Sequence, residues 1–413
     1  MSTQGSRRLR LALSALGAVG LVYLAALAAL QGAVRAAESS GTVYPYRQED
    51  WLRYLPATLW PDDGRTLILL TGPSTARENL LVEEFATAFP GYRAFQGSLS
   101  LGTLADVIVS LEYVGRVHGA GALPDMLVLG VSPRFLAEIP DARPFALGLD
   151  RYSSRFRLAD SAGTESVLEP KSRLEGGLAQ LRFLTTHQTG RYRAALAWSV
   201  SRLLSSEVGS SALGGLVDRL IGSAPGRLFL PPRAAEIGLA AFAAEIVSPY
   251  KYRNAARLGD ARLAQWLDAP DSWWKDVHRW DPGPDSIAVR ARVRRLLDFA
   301  GRHGIDVFVV SLPERSISRT RYAEGFDARF HRFAMAVFEP LPVLDLRCLL
   351  DDREFRDAEH ASVHGARRTT AHTIRHIESL TGLSDTEREG AAFAVPSLHP
   401  RDCAWVTGSG PGP

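Results

Sequence analysis

The sequence has only two cysteines, Cys348 and Cys403, and three methionines in 413 residues. Two cysteines exclude a disulfide-rich scaffold and a four-cysteine metal site. They can form one bridge or remain two thiols, and spacing alone does not decide, because a bridge depends on separation in space. A dominant charge is also lacking: 48 Lys and Arg against 45 Asp and Glu leave a net charge of +3. With acids and bases well mixed there is no broad basic field, so nucleic acid is not an expected partner. There is no H-E-x-x-H motif and no internal repeat. His360 and His364 are four apart, as are His372 and His376, but neither pair has a clear third ligand. Surface or capping roles are the ordinary reading, and no metal is expected.

Long apolar runs are absent but for one. Arg7, Arg8 and Arg10 precede an uncharged, mostly apolar run from Leu11 to Val34. A helix rises about 1.5 Å per residue, so about 20 apolar residues cross a bilayer core. The arginines ahead of the run leave the N-terminus in the cytoplasm and the rest outside. A cleaved signal peptide is the alternative, with Ala33, Ala36 and Ala37 as a cleavage site. The length of the run favours a single-pass anchor in the cell membrane with an extracytoplasmic main domain. Residues 1–35 are then a cytoplasmic stub and anchor, and 36–64 a linker.

Beyond the linker, short continuous apolar runs alternate with helical periodicity. Such runs mark strands buried on both faces of a parallel sheet. Strands are expected at Thr66–Thr71, near Tyr92–Gln96, at Asp125–Gly130, at Asp306–Leu312 and at Pro342–Leu346. Helices are expected at 76–88, at about Leu101–Val114, from Pro133, at Ile287–His303, at about Tyr322–Val337 and at Ala366–Leu380. Residues 150–283 lack strong strand runs and suggest a largely helical insertion, with helices at Leu178–Leu204 and Arg233–Ile246. Trp266, Trp273, Trp274 and Trp280 near its end would pin it down or stack on sugars. One α/β domain therefore spans 65–149 and 284–383, and a tail covers 384–413, its end disordered.

In such sheets ligands sit beyond the carboxyl ends of the strands. After the first strand comes Gly72-Pro73-Ser74-Thr75-Ala76-Arg77. Ser74 opens a helix there, as a nucleophile or as an ordinary N-cap. After the last strand, Asp357 and His360 are three apart. That spacing lets the carboxylate orient its own histidine, leaving the other ring nitrogen to take a proton from a serine. Arg77, one turn past Ser74, could hold an anionic group or pair with an acid. The elbow of ordinary α/β-hydrolases, G-x-S-x-G, is broken at Ala76.

A serine after strand one with Asp-x-x-His before the last helix resembles the SGNH (GDSL-like) hydrolase superfamily. The likeness is closest to its exported, membrane-anchored branch, which includes the D-alanyl transfer protein of teichoic acid loading and the alginate O-acetylation proteins. Gly72-Pro73-Ser74, Phe95-Gln96-Gly97-Ser98, Val128 to Pro133 and Phe355 to Gly365 stand where that family has its four blocks. The resemblance covers roughly 65–145 and 285–382. It implies a flavodoxin-like three-layer parallel sheet and a serine esterase or O-acyl(acetyl)transferase acting on a cell-envelope polysaccharide or polymer. The implied catalytic residues are Ser74, His360 and Asp357, with Ser74, Gly97 and Ser132 at the oxyanion hole and Arg77 and His364 near substrate. No metal or organic cofactor is implied, and a multi-pass membrane O-acyltransferase is the implied partner. Two departures stand out. Ser132 replaces an Asn donor, and Gly-Pro-Ser replaces Gly-Asp-Ser. They leave a second possibility, an eroded, non-catalytic adaptor.

Overall fold

The computed structural model describes residues 66–99, 102–137, 156–161, 165–182, 257–269, 272, 274–282 and 287–382, with scattered positions between 14 and 25. The chain divides into two compact units, residues 1–46 with 174–249, and residues 47–173 with 250–413. The sheet and the candidate site belong to the second.

In that unit β1 (Thr66–Thr71) leads into α1 (Ser74–Asn79) and α2 (Val82–Ala88). Then β2 (Tyr92–Gln96) leads into α3 (Leu104–His118), and β3 (Met126–Val131) into α4 (Pro133–Ala137). A hairpin of β4 (Phe156–Ser161) and β5 (Glu165–Pro170) follows, and α5 (Arg173–Arg182) after it belongs, from Leu174 on, to the first unit. Next come α6 (Asp260–Leu267), α7 (Trp274–Arg279) and α8 (Ile287–His303). The last elements are β6 (Asp306–Ser311), α9 (Ser316–Arg319), α10 (Phe326–Phe338), β7 (Val343–Asp345) and α11 (Val363–Thr381).

The fold is α/β. Five parallel strands run in the order β2-β1-β3-β6-β7. The chain starts on an inner strand and winds outward both ways, so the direction of winding reverses between β1 and β3. Such a reversal opens a crevice at the carboxyl ends of those two strands. Ser74 and Ser132 follow them directly.

Both faces of the sheet are covered. Ile68, Leu70, Val128, Val310 and Leu312 share one core with Leu80, Phe85 and Phe89 from the segment after Ser74, and with Ile374 and Ile377 of α11. The alternate side chains Leu67, Leu69, Leu127, Leu129 and Val309 are buried too, as strand alternation demands. Each fully buried aliphatic side chain contributes about 1.5–3 kcal/mol. On α3 and α8, Arg295 holds Glu112 through two bonds of 2.9 and 2.8 Å.

Three expectations are corrected. The helix expected over 76–88 is two helices, broken at Leu80 and Leu81, whose side chains enter the core while the Leu81 N–H is held by Thr370 Oγ1 at 3.0 Å. A region expected to lack strands contains the β4–β5 hairpin, which docks on α3 through Phe156 against Tyr113 and Arg116 Nη1 donating to Leu168 O at 3.0 Å. The helix expected from Tyr322 starts at Phe326, after a separate short helix, α9. Among the described residues no helix is long and apolar enough to cross a membrane. The run Leu11–Val34 lies outside them save for scattered positions, as do the linker, Trp273, most of the helices expected at 178–204 and 233–246, and the tail. Cys348 is disulfide-bonded, and Cys403 is the one other cysteine of the sequence.

Candidate active site

The turn after β1 is set by Gly72. Its φ of 137° lies where side chains are rarely tolerated, and a Cβ there would sit 2.3 Å from Gly130 O on the neighbouring strand. The chain can therefore cross β3 closely and start α1 at Ser74. Pro73 precedes it, with no side chain to cap the helix. Ser74 does not act as the N-cap; it is the first helical residue, 7 % exposed.

Asp357 and His360 lie on a loop that organises itself. Asp351 and Glu354 form a capping box, and Phe355 pairs with Ala361 across an isolated bridge. The Arg356 N–H donates to His360 O at 2.7 Å, and the Ser362 N–H to Glu354 O at 2.6 Å. Ser362 then caps α11 through Gly365 N at 3.3 Å. Gly365 is needed there, because a Cβ would meet Glu354 O at 2.8 Å.

Within this loop Asp357 Oδ1 accepts the backbone N–H of Glu359 and of His360, at 3.0 and 2.9 Å. Its carboxylate meets His360 Nδ1 at 3.0 and 2.8 Å. His360 Nε2 lies 3.0 Å from Ser74 Oγ. The three side chains form one hydrogen-bonded line: Ser74 O–H to Nε2, and Nδ1–H to the carboxylate. Burial would push His360 down, but the Asp357 charge and hydrogen bond, with Glu359 and Glu78 behind them, outweigh it and hold His360 above its ordinary value. Burial would raise Asp357, but the facing imidazole and the two backbone donors outweigh that and hold it below the usual carboxylate range.

The donors expected at an oxyanion hole are placed differently. The Gly97 N–H, expected to line the hole, donates instead to Leu70 O at 2.7 Å and extends the sheet ladder. A parallel bridge joins Pro73 and Leu99, with the Leu99 N–H donating to Gly72 O at 2.8 Å. Ser132 Oγ accepts the Phe135 N–H at 3.3 Å and keeps its own proton to donate. Of the three expected donors, the Gly97 N–H is turned into the ladder and the Ser132 hydroxyl is not.

The two expected substrate-side residues also have other partners. Arg77 Nε donates to Glu78 Oε1 at 3.1 Å, so Arg77 pairs with an acid. The His364 side chain is 77 % exposed and faces Glu354 at 3.5 Å. No group of three metal-ligating side chains occurs among the described residues. Trp266 and Trp274 meet edge to face, while Trp280 packs on Phe326, Phe330 and Phe333.

Several buried polar residues near the line escape the sequence patterns. They are Glu78, Asn79, Arg134 and Glu359, none more than 4 % exposed. Their one common signal is position, each within five residues of Ser74, Ser132 or His360. No protein-family model matches the chain, and no curated protein matches it significantly.

Proposed function

We propose that this chain is an SGNH-type serine esterase or O-acyltransferase, held at the outer face of a cell membrane by residues 11–34 and acting on a cell-envelope polysaccharide or polymer. The observation that carries this reading is the Asp357–His360–Ser74 line, with contacts of 2.8 and 3.0 Å. A serine hydroxyl is a weak nucleophile at neutral pH and needs such a base. Ser74 Oγ attacks the acyl carbonyl as its proton passes to His360 Nε2. Asp357 holds the ring and stabilises the imidazolium that forms. His360 returns the proton to the leaving alkoxide, leaving an acyl-Ser74 ester. Water or a sugar hydroxyl then takes the acyl group, with His360 again as base. Acetyl is the favoured acyl group, on the family resemblance.

The strand order β2-β1-β3-β6-β7 is that of flavodoxin-like doubly wound sheets, which supports the family reading. The disulfide at Cys348 suits an exported compartment, and a multi-pass membrane O-acyltransferase would be the donor-side partner. The test is labelling of the full chain with a fluorophosphonate, read by mass spectrometry. The adduct is expected on Ser74, and Ser74→Ala is expected to fold normally, remain unlabelled and release no p-nitrophenol from p-nitrophenyl acetate. A wild-type protein that is folded yet labelled at no pH overturns the reading.

A second reading has one observation in its favour, the Gly97 N–H bonded to Leu70 O. A domain that never forms an oxyanion hole would be an adaptor, binding a polysaccharide or the membrane O-acyltransferase without chemistry. Polysaccharide binding by a chain that resists labelling would select it.

A further inference from the structure

Glu359 stands between the two members of the acid–base pair and is itself buried, 4 % exposed. Charged residues are almost never fully buried unless paired, so its setting calls for a cause. Its N–H donates to Asp357 Oδ1 at 3.0 Å. Its carbonyl accepts Asn79 Nδ2 at 3.2 Å, and the same amide donates to Thr75 O at 2.9 Å. Asn79 ends the helix that Ser74 begins. The Glu359 carboxylate faces Arg134 Nε at 3.6 Å, both side chains 4–5 % exposed. Arg134 lies on α4, two residues past Ser132. One residue thus joins the catalytic loop, the serine helix and the segment after β3.

We propose that Glu359 and Arg134 form a positioning pair, which fixes the Asp357–His360 loop against the Ser74 helix and balances the charge around His360. The inference rests on the serine-enzyme reading above. The charges around His360 come from several elements. Asp357 and Glu359 lie on its own loop, and Glu78 faces it from α1. Arg77 bonds Glu78, and Arg134 faces Glu359 from α4. Tyr322, after α9, feels Glu359, and Arg315, before α9, feels Asp357. Removing the Glu359 charge leaves the Arg134 cation beside the site, which disfavours the imidazolium and lets His360 lose its proton at lower pH. Removing the Arg134 charge leaves a second carboxylate uncompensated and does the reverse. A purely structural pair would produce neither shift.

The experiment follows the rate of Ser74 labelling by the fluorophosphonate against pH, on the full chain, with melting temperature measured alongside. Glu359→Gln is expected to move the rising limb down by about half a pH unit or more, and Arg134→Met to move it up by a similar amount. The double variant Glu359→Leu with Arg134→Met removes both charges at similar volume. It is expected to leave the limb within about 0.2 pH unit of wild type while slowing labelling on the plateau about tenfold, because the tie is gone. Arg134→Lys, which keeps the charge, is expected to hold the limb in place. Single variants that melt earlier with an unmoved limb overturn the proposal. If a single variant does not fold, the double variant decides, and wild-type labelling by the double overturns it. Absence of labelling in wild type fails the serine-enzyme reading instead, so the two failures are distinct.

Discussion

On one side of Ser74 the hydrogen bonds run to completion: hydroxyl to imidazole, imidazole to carboxylate, carboxylate to two backbone N–H groups. On the other side one expected donor, the Gly97 N–H, is engaged elsewhere, on Leu70 O. The contrast has a physical source. The Asp357–His360 pair is built from side chains on one short loop, whose own backbone N–H groups support the carboxylate. The Gly97 N–H, by contrast, is a backbone group at a strand end, and such groups are what a sheet ladder also claims. Catalytic hydrogen bonds are often long or misdirected before substrate binds. Freeing Gly97 would cost one ladder bond, about 1 kcal/mol net, against the several kcal/mol that one oxyanion donor is worth.

The largest expected effect tests the finished side. Asp357→Asn should lower kcat toward p-nitrophenyl acetate by about 10⁴-fold, because an amide holds the wrong tautomer of His360; a loss below tenfold would show that the line does not carry the reaction. On the other side, Ser132→Ala should lower kcat by about 10²-fold if its hydroxyl meets the oxyanion. A drop of about 1 kcal/mol in stability with unchanged kcat would reduce Ser132 to the cap of Phe135.

A smaller effect concerns pH. His360 must be neutral to act as base, and its proton affinity is raised. The rate should therefore climb about tenfold per pH unit to a midpoint above about 6.5, seen in a pH–kcat/KM profile. Stability carries the opposite sign for this group. The paired imidazolium contributes fully below about pH 6.5 and is lost as pH rises through its folded value. The depressed Asp357 contributes above about pH 3.9 and is lost as pH falls through its own folded value.

The smallest effect is a control away from both sides. His278, stacked on Trp274, is pushed down to about 4, by burial first and then by the Arg321 charge. The unfolded chain binds that proton near pH 6.5, so stability should fall as pH drops from there toward 4. Calorimetry at pH 7 and pH 5 should show Tm a few degrees lower at pH 5, and His278→Gln should lessen that dependence, which His372, also pushed down to about 4 by burial, shares, without moving the activity profile.

The strands were legible because burial on both faces leaves a continuous apolar run, as in Thr66–Thr71 and Asp306–Ser311. The helix Ile287–His303 was legible to the residue, since one face is buried and the other carries arginines. The break after Asn79 was not, because Leu80 and Leu81 fit a helical stripe as well as a kink into the core. The β4–β5 hairpin was hidden by polar residues such as Arg157, Glu165 and Glu169 that a buried strand would not have. In the site, a spacing of three disclosed Asp357 and His360. The commitment of Gly97 depends on where β2 stops pairing, which spacing does not encode. Glu359 and Arg134 were missed because a charged residue is expected in solvent until a buried partner is seen.

The loop from Asp351 to Gly365 closes on itself through its capping box, its Phe355–Ala361 bridge and the Ser362 cap. Acid and base therefore share one self-braced loop, which Asn79 and Arg134 also hold from α1 and α4. Within the line itself, the contact of His360 Nε2 with Ser74 Oγ is the joint between chain segments 286 residues apart. The relay is in effect a cassette. Spliced onto the N-terminus of a helix in an unrelated α/β scaffold, these fifteen residues would need, besides a serine at the right distance, counterparts of Asn79 and Arg134 and an apolar seat for Phe355.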